Sequence, residues 1–204
     1  MILEIFKRIK IFCFDVNNME KAENKIQDNN DSNVIMENQH CPICGNETLT
    51  MIEKEFDIPH FGKTSIFSLF CHSCNYHKAD VESIDKNEPM EYSLEVSSPE
   101  DLNIRVIKSS TADVVIGRIG EIKSGIASNG YITNIEGILN KLEHVLEMML
   151  DDNEADTKTV KLHLKKLRRV KAGFDPVTIK IKDLAGNSAI LSEKAVAKSL
   201  KKKK

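Results

Sequence analysis

The chain has 204 residues, of which 41% are apolar and 29% charged, and its formal net charge is −2. This length accommodates one ordinary domain together with a small second one. No stretch approaches the roughly 18 apolar residues that a membrane-spanning helix needs, and the order of segments that makes up a secretory signal is missing, so we expect a cytoplasmic protein that does not bind membranes.

Residues 1–39 are predicted to form a largely disordered N-terminal extension. The segment 17–40 is polar, rich in Asn and without sustained periodicity. Such a composition cannot bury enough apolar surface to offset the conformational entropy that is lost when a chain becomes ordered. We therefore expect the folded part of the chain to begin near His40.

Residues 40–85 contain two CxxC pairs with 26 residues between them, Cys41/Cys44 and Cys71/Cys74. In a long cytosolic chain this doubled motif favours a metal over a redox dithiol or a pair of disulfides. Four thiolates complete the tetrahedron around Zn²⁺ and leave no open position for water, so we predict one structural zinc ion. The spacing suits a zinc ribbon in which a β-hairpin, built from MIEKEFDI and KTSIFSLF, connects the two cysteine pairs.

The histidines near these cysteines are weaker candidates for the ligand role. His40 directly precedes Cys41, so that both side chains could reach one ion only with strain in the chain. His72 lies inside the second pair, and His77 follows that pair by three residues. We expect the four thiolates to form the complete ligand set.

Residues 86–192 are predicted to form a β-rich domain with a helical insertion. MEYSLEV and VTIKIK alternate between apolar and polar residues, which is the period of a half-buried strand. Short β-like runs lie between them at IRVI, at ADVVI and near Ile122. Within 134–172 the apolar residues recur at spacings of three and four, which predicts two amphipathic helices.

Both predicted helices carry boundary signals. Thr133-x-x-Glu136 is a capping-box pattern at the start of the first helix, and Gly173 is a C-terminal stop after the second. The polar face of the second helix is strongly basic, with Lys161, Lys165, Lys166, Arg168 and Arg169.

Residues 193–204 are predicted to be a basic tail that ends in four lysines. From residue 157 to the end the chain has 15 Lys/Arg and three acidic residues, a net charge of +12, so the rest of the chain carries −14. This division favours either a polar partner or docking of the two oppositely charged halves on each other.

The sequence offers little support for catalysis. Gly120-x4-Gly125 is followed by Ile126 and Ala127, whereas a P-loop needs Lys and Ser/Thr there to hold phosphate and magnesium. The GxSxG and HExxH motifs are absent from the sequence, and four cysteines would close the zinc site to a substrate. We therefore expect a binding protein and not an enzyme.

A series of segments resembles the ZPR-one-type zinc-finger family, in particular its short archaeal members with a single module. The finger part is CPICG, FDIPHFG and SIFSLFCHSCNYHKADV, and the second part is EDLNIRVIKSS, TADVVI, EIKSGIASNGYITNIEGIL and GFDPVTIKIKDLAGNSAI. In this order they cover His40 to Leu191. The chain departs from the family pattern in two places: Ile116-Gly117-Arg118-Ile119-Gly120 replaces Ile-Pro-Glu-Leu-Gly, and Asn75 stands where Gly is commoner.

The resemblance implies a mainly β fold with an α insertion, in which the four-cysteine zinc ribbon is followed by a β-sandwich, jelly-roll-like domain that carries the helical hairpin. It also implies that the protein binds translation elongation factor one-alpha and assists its folding, as an adaptor or chaperone. The candidate contact residues are the polar ones in the matched segments, Asp101, Asn103, Arg105, Lys108 and Glu136.

A nucleic-acid-binding protein is the alternative interpretation. Zinc ribbons are common in transcription and translation proteins, and the basic helix with its lysine tail could follow the phosphates of RNA. However, residues 40–85 are not strongly basic, and their aromatic residues suit the core of the ribbon itself. Nucleic acid is therefore the less favoured partner.

Overall fold

The computed structural model describes residues 33–200 except 60, 86–87, 126 and 152–156. The predictions for residues 1–32 and for the four terminal lysines lie outside the described residues. Within the described part the chain is mainly β, with twelve strands, two α-helices and one short 3-10 helix, Pro99–Asn103. This composition confirms the predicted fold class.

A four-stranded antiparallel sheet forms the N-terminal part of the fold and carries the cysteines. Its strands, in order across the sheet, are β1 (Asn33–His40), β2 (Glu47–Ile58), β3 (Gly62–Cys71) and β4 (His77–Ser83). The pairing of β2 with β3 runs from Leu49 opposite Cys71 to Ile58 opposite Gly62. This hairpin confirms the predicted one, and it places the cysteine pair before β2 beside the pair that follows β3.

Strand β1 corrects the prediction that the chain is loosely held up to residue 40. It pairs antiparallel with β2, from Asn33 opposite Lys54 to His40 opposite Glu47. The side chains described in it, residues 35–40, are all exposed. Since backbone hydrogen bonds and not burial hold this strand, its sequence shows no alternation of apolar and polar residues from which the strand could be predicted.

Two further sheets follow the ribbon and form a β-sandwich. In chain order their strands are β5 (Met90–Val96), β6 (Arg105–Lys108), β7 (Asp113–Ile116), β8 (Gly120–Ile122), β9 (Tyr131–Asn134), β10 (Val177–Asp183), β11 (Ala189–Leu191) and β12 (Val196–Ser199). The larger sheet has the order β12-β5-β10-β7-β8 and the smaller one β11-β6-β9. The two strands predicted from clear alternation, β5 and β10, pair with each other at the centre of the larger sheet.

Strand β12 corrects the predicted start of the basic tail at residue 193. It pairs with β5 at the edge of the larger sheet, with Val196 opposite Ser93 and Ser199 opposite Met90. All four of its side chains are exposed. As in β1, an edge strand held by its backbone leaves no hydrophobic pattern from which it could be predicted.

The turn between β7 and β8 contains the departure from the Ile-Pro-Glu-Leu-Gly pattern. Ile119 N donates to Ile116 O at 2.9 Å, and Gly117 adopts a φ of +49°. A Cβ atom on Gly117 would collide with the side chain of Val177. The tight turn is therefore formed without the proline, with glycine meeting both the conformational and the steric demand.

The predicted helical hairpin is formed by α1 (Ile135–Asp151) and α2 (Thr157–Lys171). The predicted cap is wrong by one residue, because Asn134, which directly precedes the first helical residue Ile135, accepts a hydrogen bond from Gly137 N at 2.9 Å through its Oδ1. Gly173 ends α2 as predicted, with a φ of +76°. Within the described ranges, no helix is long and apolar enough to cross a membrane.

The main hydrophobic core combines both sheets of the sandwich with both helices. In β10 every second side chain is buried, namely Val177, Ile179 and Ile181. The apolar stripe of α2 is also buried, with Val160, Leu164, Leu167 and Val170. Each such side chain stabilises the fold by roughly 1.5–3 kcal/mol when it is removed from water, so the helical hairpin is an integral part of the sandwich.

A second apolar cluster joins the ribbon to the sandwich. It contains residues of β2, β3 and β4 together with residues of β6 and β9, namely Ile58, Ile66, Val81, Ile107 and Ile132. The two backbones also meet, because Gly130 N donates to Ala79 O at 2.9 Å. The zinc ribbon is therefore docked on the three-stranded sheet.

Candidate functional site

The four cysteines meet at one end of the ribbon sheet. All four Sγ atoms lie within 4.8 Å of one another, and the Cys41–Cys74 and Cys44–Cys71 Sγ distances are both 3.7 Å. A tetrahedral zinc ion with Zn–S bonds of about 2.3 Å requires S–S distances of about 3.8 Å. The cluster therefore fits one zinc ion with four thiolate ligands, as predicted.

Each cysteine pair is shaped by the same backbone turn. Gly45 N donates to Cys41 O at 2.9 Å, and Asn75 N donates to Cys71 O at 3.0 Å. Gly45 and Asn75 both adopt the left-handed conformation, with φ of +74° and +57°. Asn tolerates this region better than most residues, so the second turn forms without the glycine that is commoner there.

The surroundings of the cluster act differently on individual thiols: against a backbone hydrogen bond from Tyr76, burial and the neighbouring thiols raise the pKa of Cys74 to about 12, whereas the pKa of Cys71 is lowered. Cys41 and Cys71 are buried against Leu49, whereas Cys44 and Cys74 are exposed. The Thr48 hydroxyl lies 3.3 Å from Cys71 Sγ and its hydrogen bond, opposed by burial, lowers the pKa of Cys71 to about 6. The thiolate is the form that binds a metal, so this ligand is ready for zinc at neutral pH.

Two of the three histidines near the cysteines contact other side chains. His40 Nε2 lies 3.2 Å from Glu47 Oε1, and His72 Nε2 lies 3.2 Å from Thr50 Oγ1. Among the residues that the structure describes, the group able to hold a metal consists of the four cysteines alone. That no nearby histidine replaces a thiolate stays a prediction.

The five candidate contact residues differ in exposure. Asn103 and Glu136 are exposed and Arg105 is half-buried, so these three side chains reach the surface. Asp101 is 2% exposed and accepts hydrogen bonds from Lys194 Nζ at 2.6 Å and from Ser97 N at 3.0 Å. These partners lower the pKa of Asp101 to about 2, and they make it a fixed point of the sandwich.

Lys108, the fifth candidate, is a buried cation. Its side chain is 1% exposed, and Nζ donates to Ser109 O at 2.9 Å and to Ser128 Oγ at 3.4 Å. Burial lowers the pKa of this amine, while the carboxylates of Asp80 and Asp183 oppose that shift. Whether the five residues contact a partner stays a prediction, and for Asp101 and Lys108 a direct contact would require local opening.

Two buried carboxylates beside Lys108 were missed by the sequence analysis. Asp183 is fully buried and accepts hydrogen bonds from three hydroxyls and one backbone N–H, those of Ser109, Thr111, Ser188 and Ala185. Asp80, on β4, accepts from Ser110 in the sandwich. The burial of Asp183 could have been predicted from the sequence, because every second residue of β10 is buried and Asp183 is the next residue in that alternation.

The basic face of α2 is partly neutralised by acidic residues. Arg168 pairs with Glu143 at 2.8 Å and with Glu147 at 2.7 Å, and Lys171 pairs with Glu143 at 2.6 Å. Arg169 pairs with Asp175 at 2.6 Å. Since Glu143 and Glu147 belong to the acidic part of the chain, the two oppositely charged halves contact each other, as one of the two interpretations of the charge division requires.

Fold and site together define a zinc-ribbon protein whose ribbon is docked on a jelly-roll domain. Comparison with protein families agrees, since the ZPR1 zinc-finger domain matches residues 33–89 and the ZPR1 jelly-roll domain matches residues 100–204. The chain belongs to the ZPR1 family.

Individual relatives extend this result. An uncharacterized ZPR1-like protein of Methanocaldococcus jannaschii is 33% identical over 157 residues, which are 75% of this chain and 79% of the relative. Another, of Pyrococcus horikoshii, is 36% identical over 170 residues, 79% of this chain and 76% of the relative. The zinc finger chaperone zpr1 of Schizosaccharomyces pombe is 31% identical over 121 residues, 58% of this chain but only 26% of that longer protein.

Proposed function

We propose that this protein is a cytoplasmic adaptor or chaperone, not an enzyme, that binds translation elongation factor one-alpha and assists its folding. The observation that carries the proposal is the match of ribbon and jelly-roll domain to a family with a relative named a zinc finger chaperone. That name supports a protein client. The choice of elongation factor one-alpha as the client follows from the family resemblance of the sequence.

The chemistry of the zinc site is in keeping with a binding role. The four Sγ atoms lie at the separations of a tetrahedral site, so a zinc ion there would have no free position for water or substrate. The ion would then hold the two cysteine pairs together and stabilise the ribbon, whose surface would be available for binding. A reducing compartment such as the cytoplasm keeps such thiols available for zinc.

The ribbon also exposes apolar side chains that suit a protein contact. Ile43, between the first two cysteines, is 67% exposed, and Met36 and Ile35 on β1 are 41% and 57% exposed. Met36 borders a shallow groove on the outer face of the sheet, together with Phe67 and Leu69. Met36, Phe67 and Leu69 thus form one apolar groove, and contiguous exposed apolar surface commonly marks a protein interaction site.

Isothermal titration calorimetry with the zinc-loaded full chain tests the proposal. The titrant is the elongation factor one-alpha of the same host, and a single-stranded RNA at moderate salt is the control. We expect one-to-one binding to the factor and weak, salt-sensitive binding to RNA. Ile43→Ser should weaken binding to the factor, whereas Lys180→Ala, on the exposed side of β10, should not. Absence of binding to the factor would refute the choice of client.

The nucleic-acid alternative receives less support from the contacts of α2. Three of its cations, Arg168, Arg169 and Lys171, already form ion pairs with carboxylates. Their charge is therefore largely compensated, whereas binding to a phosphate backbone depends on cations that can release counterions. Tight RNA binding in the calorimetric control, stronger than binding to the factor, would reverse this preference.

A further inference from the structure

A groove with a volume of about 570 Å³ lies on the sandwich, away from the cysteines. Its walls come from β6, β9, the segment after β8 and the helix α1. Three lysines line it together with an aromatic ring and two aliphatic side chains, namely Lys108, Lys123, Lys141, Tyr131, Ile122 and Val145. We call it the Tyr131 groove.

Two ammonium groups converge on the Tyr131 ring. Lys141 Nζ, from α1, lies 4.5 Å from the ring centroid, and Lys108 Nζ, from β6, lies 5.5 Å from it. The ring attracts each cation, but the two like charges repel each other. An anion beside Lys141, the exposed one of the two lysines, would offset this repulsion.

The exposed lysines of the groove are available for such an anion. Within the described part of the chain, Lys141 forms no ion pair. Lys123 pairs with Glu121 at 2.9 Å, with the two side chains 70% and 51% exposed. An exposed pair of this kind contributes little and is readily exchanged.

The carboxylates nearest to Lys108 do not fill this role. Asp183 and Asp80 are held by serine and threonine hydroxyls at the ribbon junction, and Asp113 accepts from the N–H and hydroxyl of Ser124, both at 2.7 Å. These three carboxylates compensate the charge of the buried Lys108. The groove itself keeps a positive, partly apolar wall.

We propose that the Tyr131 groove binds an acidic peptide segment of a protein partner, whose carboxylates pair with Lys141 and Lys123 and whose apolar side chains pack on Ile122 and Val145. Val145 is 49% exposed at the rim and gives an aliphatic contact that a simple inorganic anion would not use. A nucleic acid is less suitable, because the one aromatic ring in the groove already has two ammonium groups over it, and base stacking needs an open ring face. The inference does not depend on which protein is the client.

Fluorescence anisotropy with synthetic peptides tests this binding on the zinc-loaded full chain. One labelled peptide alternates Glu with Leu, and a second has Lys in place of every Glu. We expect the acidic peptide to bind and the basic one not to bind. Lys141→Glu should weaken binding of the acidic peptide at least about tenfold, since it replaces an attraction by a repulsion. Val145→Ser should weaken it by a smaller factor.

Lys180→Glu is the matched control, because it makes the same charge reversal at another exposed lysine, on β10, and it should leave the affinity unchanged. Zinc content and far-ultraviolet circular dichroism verify that each variant is folded. Equal binding of both peptides, or an equal loss in both charge-reversal variants, would overturn the proposal. A competition experiment adds an unlabelled peptide in which Glu alternates with Ser. The proposal would also be overturned if inorganic phosphate or polyuridine displaced the labelled acidic peptide at concentrations at which this Glu-Ser peptide does not displace it. None of these results bears on the calorimetric test of the elongation factor.

Discussion

Asp80 of the ribbon accepts hydrogen bonds from both the backbone N–H and the hydroxyl of Ser110 in the sandwich, and the contact to the N–H is 2.6 Å long. The same carboxylate accepts from Val81 N at 2.8 Å, and it is only 8% exposed. One buried side chain thus fixes a loop of the jelly-roll domain to the last strand of the zinc ribbon.

Replacing this carboxylate should weaken the whole protein. We expect Asp80→Ala to lower the free energy of unfolding by about 1–3 kcal/mol, because it leaves buried N–H groups without an acceptor. Urea unfolding followed by circular dichroism measures this loss. Asp85→Ala is the control, since Asp85 follows the same strand, β4, but is exposed. Equal stability of the two variants would contradict a role of Asp80 at the junction.

Close packing at the same junction leaves no room for a methyl group at Gly130. A Cβ atom there would collide with Asp80 and with the backbone of Val81. We expect Gly130→Ala to cost about 1–3 kcal/mol of unfolding free energy through overpacking. Gly125→Ala, in the same segment, would place its methyl in open space, and thermal denaturation should show little change for it. A melting temperature for Gly130→Ala as high as that of Gly125→Ala would argue against tight docking.

Loss of one zinc ligand should unfold the ribbon. We expect Cys71→Ser to reduce bound zinc far below one ion per chain and to lower the thermal stability, because metal binding and folding are coupled in such modules. Zinc is measured by atomic emission after dialysis. Ser73→Ala, an exposed change inside the same cysteine pair, is the control and should retain the metal. A Cys71→Ser protein with full zinc content would refute the ligand set.

Asp101 should make the stability depend on pH in the acid range. Its pKa lies at about 2, below the ordinary value of 3.8 for an aspartate, so the unfolded chain binds a proton more readily than the folded one. The stabilisation is therefore complete above pH 3.8 and is lost as the pH falls through about 2. We expect about 1 kcal/mol, a value limited by water screening of the 63% exposed Lys194.

The measurement compares Asp101→Asn with the parent protein at several pH values. We expect both proteins to lose zinc alike in acid, so the difference in unfolding free energy isolates the contribution of Asp101. The difference should be largest near neutral pH and should shrink towards pH 2. A difference that does not vary with pH would show that the Lys194 pair is without energetic weight.

The α1 cap provides a small, local prediction. Asn134→Ala should cost about 1 kcal/mol, because the N–H of Gly137 loses its acceptor. Glu136→Ala should cost less, since Glu136 stands one position too early to act as the reciprocal partner of the observed cap. Chemical denaturation of the two variants distinguishes them, and a larger effect of Glu136→Ala would restore the original capping-box interpretation.

The parts of the fold that the sequence predicts are those with local patterns. The two CxxC pairs define the zinc site, and the alternation in MEYSLEV and VTIKIK marks strands because one face of each is buried. The apolar stripe of α2 and the glycine that ends this helix, Gly173, are also patterns of residues close together in the sequence. A pattern of side chains is enough wherever burial decides the structure.

What the sequence does not predict depends on distant partners. Strands β1 and β12 lie at sheet edges with exposed side chains. Backbone hydrogen bonds alone pair them with their neighbours, and such bonds leave no pattern of side chains in the sequence. Asp80 and Ser110, which form the junction, are far apart in sequence. Nothing in the sequence around Asp80 indicates which residue its carboxylate will contact. The neutralisation of Arg168 by Glu143 likewise requires the packing of two helices.

The irregular pairing of β1 with β2 has a consequence for association. Between Met36 and His40 the register shifts twice, and Asn38 adopts a φ of +56°. A regular, open edge would offer a row of backbone donors and acceptors on which another chain could extend the sheet. The kink at Asn38 interrupts that row beside the cysteines, so the apolar residues of the ribbon can stay exposed while edge-to-edge growth into fibrils or strand-swapped aggregates is discouraged.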